Sequence, residues 1–267
     1  MPAPGAGGKL RCHLFRPLRH FWWALGQLYY ELIPMTLKIN VLWTLTVLPL
    51  ILPASLVAVV MANPAARDSI AERIIPVEIL LITPLVTAFV LLISGPGTAA
   101  MYFSAYRFID FEPVTYALFW QGFKRYFVRG WLLAVTDMAG LYILLIGFMF
   151  YWFSGEILQQ IIAVVFVYLL LFWILMQPYL FVLIVRLDLS VFHTLRNAAV
   201  LVIGNPGVTL GLGVISLLSA VFLPIFNILA LIIGPCVVVL TGHRVTADLL
   251  EDLGITTDEA GDVSAKI

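Results

Sequence analysis

Asp137 is the residue whose surroundings most need explaining. It stands in RGWLLAVTDMAGLYILL, one to two helical turns inside a long apolar run. An ionised carboxylate within hydrocarbon costs a few kcal/mol unless it is paired, so this side chain is expected to face the interior of a helix bundle. Two kinds of role fit it. As a functional group it relays a proton or a cation, or touches a polar solute. As a structural group it pairs with Arg129, Arg107 or Arg186, or accepts a hydroxyl or amide donor. A lone acid, with no second acid or lysine in neighbouring segments, is thin ground for a pump.

Prolines inside apolar runs are the second feature with chemical meaning. Gly95-Pro96, Pro178 (after Gln177) and Gly234-Pro235 are candidate helix kinks, and Pro49, Pro53, Pro84 and Pro224 add to them. A proline frees a carbonyl and bends the chain, and transporters bind solutes at such breaks. Glycine and proline are also common in ordinary membrane helices, where they serve packing.

Other chemistries find no residues to carry them. Histidines 13, 20, 193 and 243 show no ligand spacing with one another or with Cys12 and Cys236, so no metal site is expected. No phosphate-binding loop, GxSxG, HExxH, paired catalytic carboxylates or dinucleotide loop is present. The chain reads as a non-enzyme without cofactors.

Composition defines what positions these residues. Of 267 residues, 62% are hydrophobic and 11% charged, against about a quarter charged in soluble domains. Residues 39–61 carry no charge and are long enough to cross a hydrocarbon core of ~30 Å. The expectation is an all-α, polytopic membrane protein of six transmembrane helices arranged as three hairpins, at about 38–61, 77–106, 130–153, 157–185, 207–224 and 226–248. The break in the last apolar stretch is Leu223-Pro224-Ile225-Phe226-Asn227. Residues 10–253 form the single membrane domain, preceded by a disordered Pro/Gly-rich 1–9 and followed by a flexible acidic tail, 254–267.

Charge sets the orientation. Thirteen of the fifteen Lys and Arg residues fall on one side of this arrangement, and Arg67 and Arg73 on the other. The positive-inside rule places both termini in the cytoplasm of a bacterial inner (plasma) membrane. The formal net charge is zero, and basic-aromatic segments beside membrane helices are normally interfacial anchors, so no nucleic-acid partner is expected.

Three segments extend along the cytoplasmic side. Leu18 to Ile33 is an interfacial amphipathic helix with Leu18, Phe21, Trp22 and Leu25 on its apolar side and Arg19, Gln27 and Glu31 away from it. Asp110 to Gly130, with Pro113 able to start a helix, sets an aromatic stripe (Tyr116, Phe119, Trp120, Phe123, Phe127) beside Lys124, Arg125 and Arg129. Arg186 to Asn205 forms a further elbow. Arg107, Trp120, Lys124, Arg125, Arg129 and Arg186 make a candidate cytoplasmic interface, either a headgroup anchor or a docking surface. A weak repeat accompanies them: the second, fourth and sixth helices each carry a proline followed by an arginine, Pro96 to Arg107, Pro178 to Arg186 and Pro235 to Arg244.

The segments LKINVLWTLTVLPLI, SGPGTAAMYFSAYRFI, FWQGFKRYFVRGW and PYLFVLIVRLDLSVFHTLRNAAVLV resemble, in order and character, the YesL-like family of bacterial membrane proteins. The resemblance runs from about Phe15 to Leu250; the extra polar loop from Asn63 to Pro76 departs from the more compact family pattern. It implies a six-helix protein associated with carbohydrate uptake and importers of the ATP-binding-cassette (ABC) type. No functional residue carries over, because the family has no established chemistry.

Three functions follow as expectations. The first is a non-catalytic accessory or assembly subunit of a membrane complex, linked to carbohydrate import and partnered by an ABC sugar importer within the lipid bilayer. The second is a small secondary transporter or channel using Asp137 and the kinked helices. The third is a lipid-interacting scaffold. A sugar pathway needs many hydrogen-bonding side chains, and these helices hold few beyond Asp137, Gln177, Asn40 and scattered Ser and Thr, which favours the first.

Overall fold

The computed structural model describes residues 16–27, 38–49, 77–109, 115–153, 156–222 and 228–252. Among the described residues there are nine helices and no strand: α1 (Arg16–Gln27), α2 (38–49), α3 (Val77–Ile109), α4 (Tyr116–Arg125), α5 (Phe127–Trp152), α6 (Ile157–Arg186), α7 (Val191–Gly204), α8 (Pro206–Phe222) and α9 (Ile228–Asp252). The expected disordered start, the acidic tail, residues 50–61 of the first expected helix, the loop at 63–76, Pro53, Pro113 and Pro224 lie outside the described residues. Among the described residues three helices are long and apolar enough to cross a membrane, residues Val86–Ile109 of α3, α5 and α6, and a fourth span is counted if α7 and the start of α8 act as one bent unit.

The bend between α7 and α8 is 110° and has a local cause. Pro206 lacks an N–H and suits the first position of a helix. It also disfavours helical backbone at the residue before it, and Asn205 sits at φ −135°, ψ 61°. The elbow helix α4 is fixed by a cap, with the Leu118 N–H donating to Thr115 Oγ1 at 3.3 Å.

Helices α5 and α6 run antiparallel in a regular ladder. Gly147 lies against the ring of Phe166, Gly140 against the indole of Trp173, Asp137 against Gln177, and Tyr126 against the carbonyl of Val185. The two glycines give flat notches that admit aromatic rings, as small residues do in membrane helix pairs. From the Gly140 notch towards Phe153, this pair exposes Ile143, Phe150, Leu158 and Tyr168.

The core sits at the opposite end, where the arginines cluster. There α3, α6 and α9, the three helices that carry the proline-arginine repeat, all pack against one another. Tyr179, Leu183 and Leu240 are fully buried, and Tyr179 Oη shares a 3.0 Å hydrogen bond with Thr209 Oγ1 of α8. Helix α2 docks on the far side of α3 through Trp43 Nε1, which donates to Thr98 Oγ1 at 3.1 Å.

Helix α1 behaves as two stripes rather than one. Pro17, His20 and Ala24 face the bundle, with Arg16 paired to Asp252 and His20 Nε2 2.8 Å from Asp248 Oδ2 of α9. Leu18, Trp22 and Leu25 point outwards, Trp22 at 63% exposure. Such a helix leaves an apolar face outside the protein core, as an interfacial helix does.

Candidate functional site

Asp137 and Gln177 meet midway along the α5/α6 ladder. The Gln177 Nε2 donates to Asp137 Oδ1 at 2.7 Å and to the Trp173 carbonyl at 3.4 Å. Eight residues separate Asp137 from Arg129, which puts the pair roughly 12 Å inward from the basic end. Of the two roles read from sequence, this contact supplies the structural one: an amide donor meets the carboxylate. The arginines are engaged elsewhere. Arg129 Nη1 donates to Asp188 Oδ1 at 2.6 Å and to the Asp188 carbonyl at 3.0 Å, and Arg186 Nη1 donates to the His243 carbonyl at 3.0 Å.

Both hydrogens of the Gln177 amide nitrogen are thus used, and its Oε1 is left as the group with acceptor capacity. Gln177 also lines a cavity of about 320 Å³ between α3, α6, α8 and α9, together with Tyr102, Ile174, Pro178, Ser216 and Leu217. Ser216 Oγ is buried without a hydrogen-bond partner. Because residue 178 is proline, the carbonyl of Ile174 has no helical donor four residues on. The cavity therefore combines apolar walls with several polar groups, at the lower end of the ligand-pocket range.

The candidate kinks lie within continuous helices, and the first of them is also a site of close contact. Helices α3, α6 and α9 stay helical through Gly95-Pro96, Pro178 and Gly234-Pro235. A β-carbon on Gly95 would lie 2.7 Å from the Gly130 carbonyl oxygen and 2.9 Å from the Ala134 β-carbon, while one on Gly97 would overlap Thr46 of α2. The SGPG run is where α3 is pressed between two helices, and its missing side chains make that approach possible.

The candidate cytoplasmic interface divides in two. Trp120, Lys124 and Arg125 are exposed on α4, with Lys124 Nζ 5.5 Å from the centre of the Trp120 ring, while Phe119 and Gly122 are buried, Gly122 against Phe103. Arg129 is exposed but tied to Asp188, which Arg125 also approaches at 3.8 Å. Arg107 and Arg186 are turned inward, their guanidinium groups over the rings of Phe103 and Tyr106 respectively, both at 5.4 Å. Cation-to-ring packing of this kind suits a partly desolvated arginine.

One participant was read from the sequence only as a histidine without metal-ligand spacing. His243 is fully buried at the junction of α3, α6 and α9; its Nε2 donates to the Tyr102 carbonyl at 3.0 Å, and its ring stacks on Tyr106. The available signal was its place one residue before Arg244, the third arginine of the repeat. Arg244 itself covers the Trp23 ring at 4.3 Å and joins α1 to α9. Among the described residues no group of three His, Cys, Asp or Glu side chains is placed to hold a metal ion.

No family model, curated protein or solved structure matches this chain.

Proposed function

We propose that this chain is a six-span inner-membrane protein of three helical hairpins, with both termini cytoplasmic, acting as a non-catalytic accessory or assembly subunit of a membrane complex. The observation that carries this reading is the face of α4. One side is buried through Phe119 and Gly122, the latter against Phe103, and the other presents Tyr116, Trp120, Lys124 and Arg125 outwards, Trp120 at 55% exposure. Exposed Trp and Arg on a helix held rigidly by its opposite face is the composition of interface hot spots. Carbohydrate import as the context, and an ABC importer as the partner, rest on the family resemblance alone.

The test is purification of a tagged full-length chain in mild detergent. The subunit reading expects stoichiometric membrane partners that are lost from Trp120→Ala/Lys124→Glu. Recovery of the wild-type chain alone and monodisperse counts against it. A reporter fused after Ile267 is expected to be active in the cytoplasm.

A second reading, a small transporter, is favoured by the cavity beside Gln177 and Asp137. There, Asp137→Asn abolishes uptake of a solute by reconstituted vesicles; unchanged flux removes Asp137 as the coupling group.

A further inference from the structure

We propose that the cavity between α6 and α8 is a lateral binding site for a small membrane-soluble molecule with an apolar body and a hydrogen-bond-donating head, and that Gln177 Oε1 receives the head. This goes beyond the subunit reading and does not depend on it.

Three observations lead there. The first is access. Of the lining residues, Ile174 of α6 and Leu217 of α8 are themselves exposed, at 48% and 59%, from which we infer an opening between these two helices. These apolar rim residues lie on helices that read as membrane-embedded, so entry is from the lipid and the ligand must partition into it.

The second is size. About 320 Å³ is roughly ten times the ~30 Å³ share of one liquid water, so the site suits an eight-carbon amphiphile and is too small for a whole phospholipid.

The third is the direction of hydrogen bonding. Asp137 and the Trp173 carbonyl consume the amide hydrogens of Gln177, so the amide offers the cavity an acceptor. The Ile174 carbonyl, deprived of its helical donor by Pro178, is a second acceptor on the same wall. Ser216 Oγ, buried without a partner, supplies a hydroxyl on the opposite helix. In a low-dielectric setting an unsatisfied acceptor is costly, and a donor-bearing head relieves it. An alcohol and a protonated amine share this chemistry. Asp137 separates them, because its carboxylate lies directly behind Gln177 and adds attraction only for the charged head. In this arrangement Asp137 is a positioning residue: it fixes which end of the Gln177 amide faces the cavity.

The experiment uses the full-length protein in phosphatidylcholine nanodiscs with an octanol probe carrying a diazirine on its alkyl chain. Crosslinks are expected to concentrate within residues 174–181 and 213–217. Octanol and octylammonium should compete, and octyl methyl ether, which has no donor, should compete about fivefold more weakly, the equivalent of one hydrogen bond. Ser216→Trp fills the cavity and should remove the labelling while thermal unfolding shows that the fold persists; Ser216→Ala, which leaves the cavity open, should retain it. An Asp137→Asn variant that weakens octylammonium but not octanol identifies the charged head as the better ligand, and equal competition in both proteins identifies the alcohol. Membrane partitioning only, seen as equal labelling at lipid-facing Phe150, Leu158 and Val165 or as labelling unchanged by Ser216→Trp, overturns the proposal.

Discussion

Gly95 and Gly130 meet backbone to backbone, so that a β-carbon on Gly95 would come within 2.7 Å of the Gly130 carbonyl oxygen. The contact is the crossing point of α3 and α5, and neither partner has a flexible side chain that could yield. Gly95→Ala is therefore expected to push the two helices apart and destabilise the protein by about 1–3 kcal/mol, as overpacking of a filled core does. Gly26→Ala in α1, where nothing lies within 4 Å of the added carbon, should be neutral or stabilising by up to ~1 kcal/mol. Thermal unfolding of both variants in the same detergent checks the contrast. Equal melting temperatures would show that the crossing tolerates a methyl group.

Asp188 is the described non-glycine residue with positive φ, at 50°, in the link between α6 and α7. Its carboxylate binds Arg129 at 2.6 Å with both side chains about half exposed. An ion pair of that exposure contributes about 0–1 kcal/mol, and left-handed backbone costs a non-glycine residue about 1–2 kcal/mol. The two effects nearly balance, so Asp188→Gly should stay within about 1 kcal/mol of wild type. Asp188→Val loses the pair and also places a β-branched residue in that conformation, with an expected loss of about 2–3 kcal/mol. Chemical denaturation of the pair of variants separates conformation from charge.

Much of this fold was readable from hydrophobic runs and punctuation. Helices expected at 130–153 and 157–185 are found at Phe127–Trp152 and Ile157–Arg186, because long uncharged runs bounded by arginine, glycine and aromatic residues leave little freedom. The proline-arginine repeat also had a physical meaning, since its three helices pack together. The direction of side chains was not readable. Arg107, Arg186 and Arg129 look alike in sequence, yet two turn inward over aromatic rings and one holds Asp188, a choice made by tertiary contacts. The SGPG run suggested a kink, and the structure adds a close approach to α2 and α5 that the run alone did not signal, because only the neighbouring helices decide what a missing side chain admits. The cavity beside Gln177 depends on Ser216, about forty residues away in sequence, with no local signal to join them.

Tyr126 joins α4 to α6, its phenol buried and donating to the Val185 carbonyl at 3.2 Å. Burial raises the phenol above its usual value of 10.0, against the nearby Arg125, Arg129 and Arg107, which lower it, while Asp188 adds to the rise. A group raised in the folded state contributes stability that is complete below its unfolded pKa and is lost as pH climbs through the folded value. Wild type should therefore exceed Tyr126→Phe by about 1 kcal/mol at pH 7 to 9, the worth of one buried hydrogen bond. That advantage should shrink above pH ~10. Comparing the two proteins across this window cancels the titration of every other tyrosine and lysine. No difference between them at pH 7 to 9 would mean that Tyr126 acts through its ring alone, and a difference independent of pH would mean that folding does not withdraw the phenol from water.

The contact between Gln177 and Asp137 makes a prediction about non-additivity. Gln177→Leu strips the part-buried carboxylate of its 2.7 Å hydrogen bond, which should cost more than the net worth of a hydrogen bond, about 1–3 kcal/mol. Asp137→Leu removes the carboxylate but leaves Gln177 its second contact with the Trp173 carbonyl, so its cost should be smaller. Replacing both with leucine eliminates the desolvated polar groups together, and apolar replacements of a buried polar pair are often nearly neutral. The double variant should therefore be more stable than Gln177→Leu alone, with a coupling of about 1 kcal/mol or more in a double-mutant cycle. Unfolding free energies of the four proteins in one detergent measure it. Strict additivity would mean that the two side chains do not act as a unit, and that Asp137 does not hold the Gln177 amide in place.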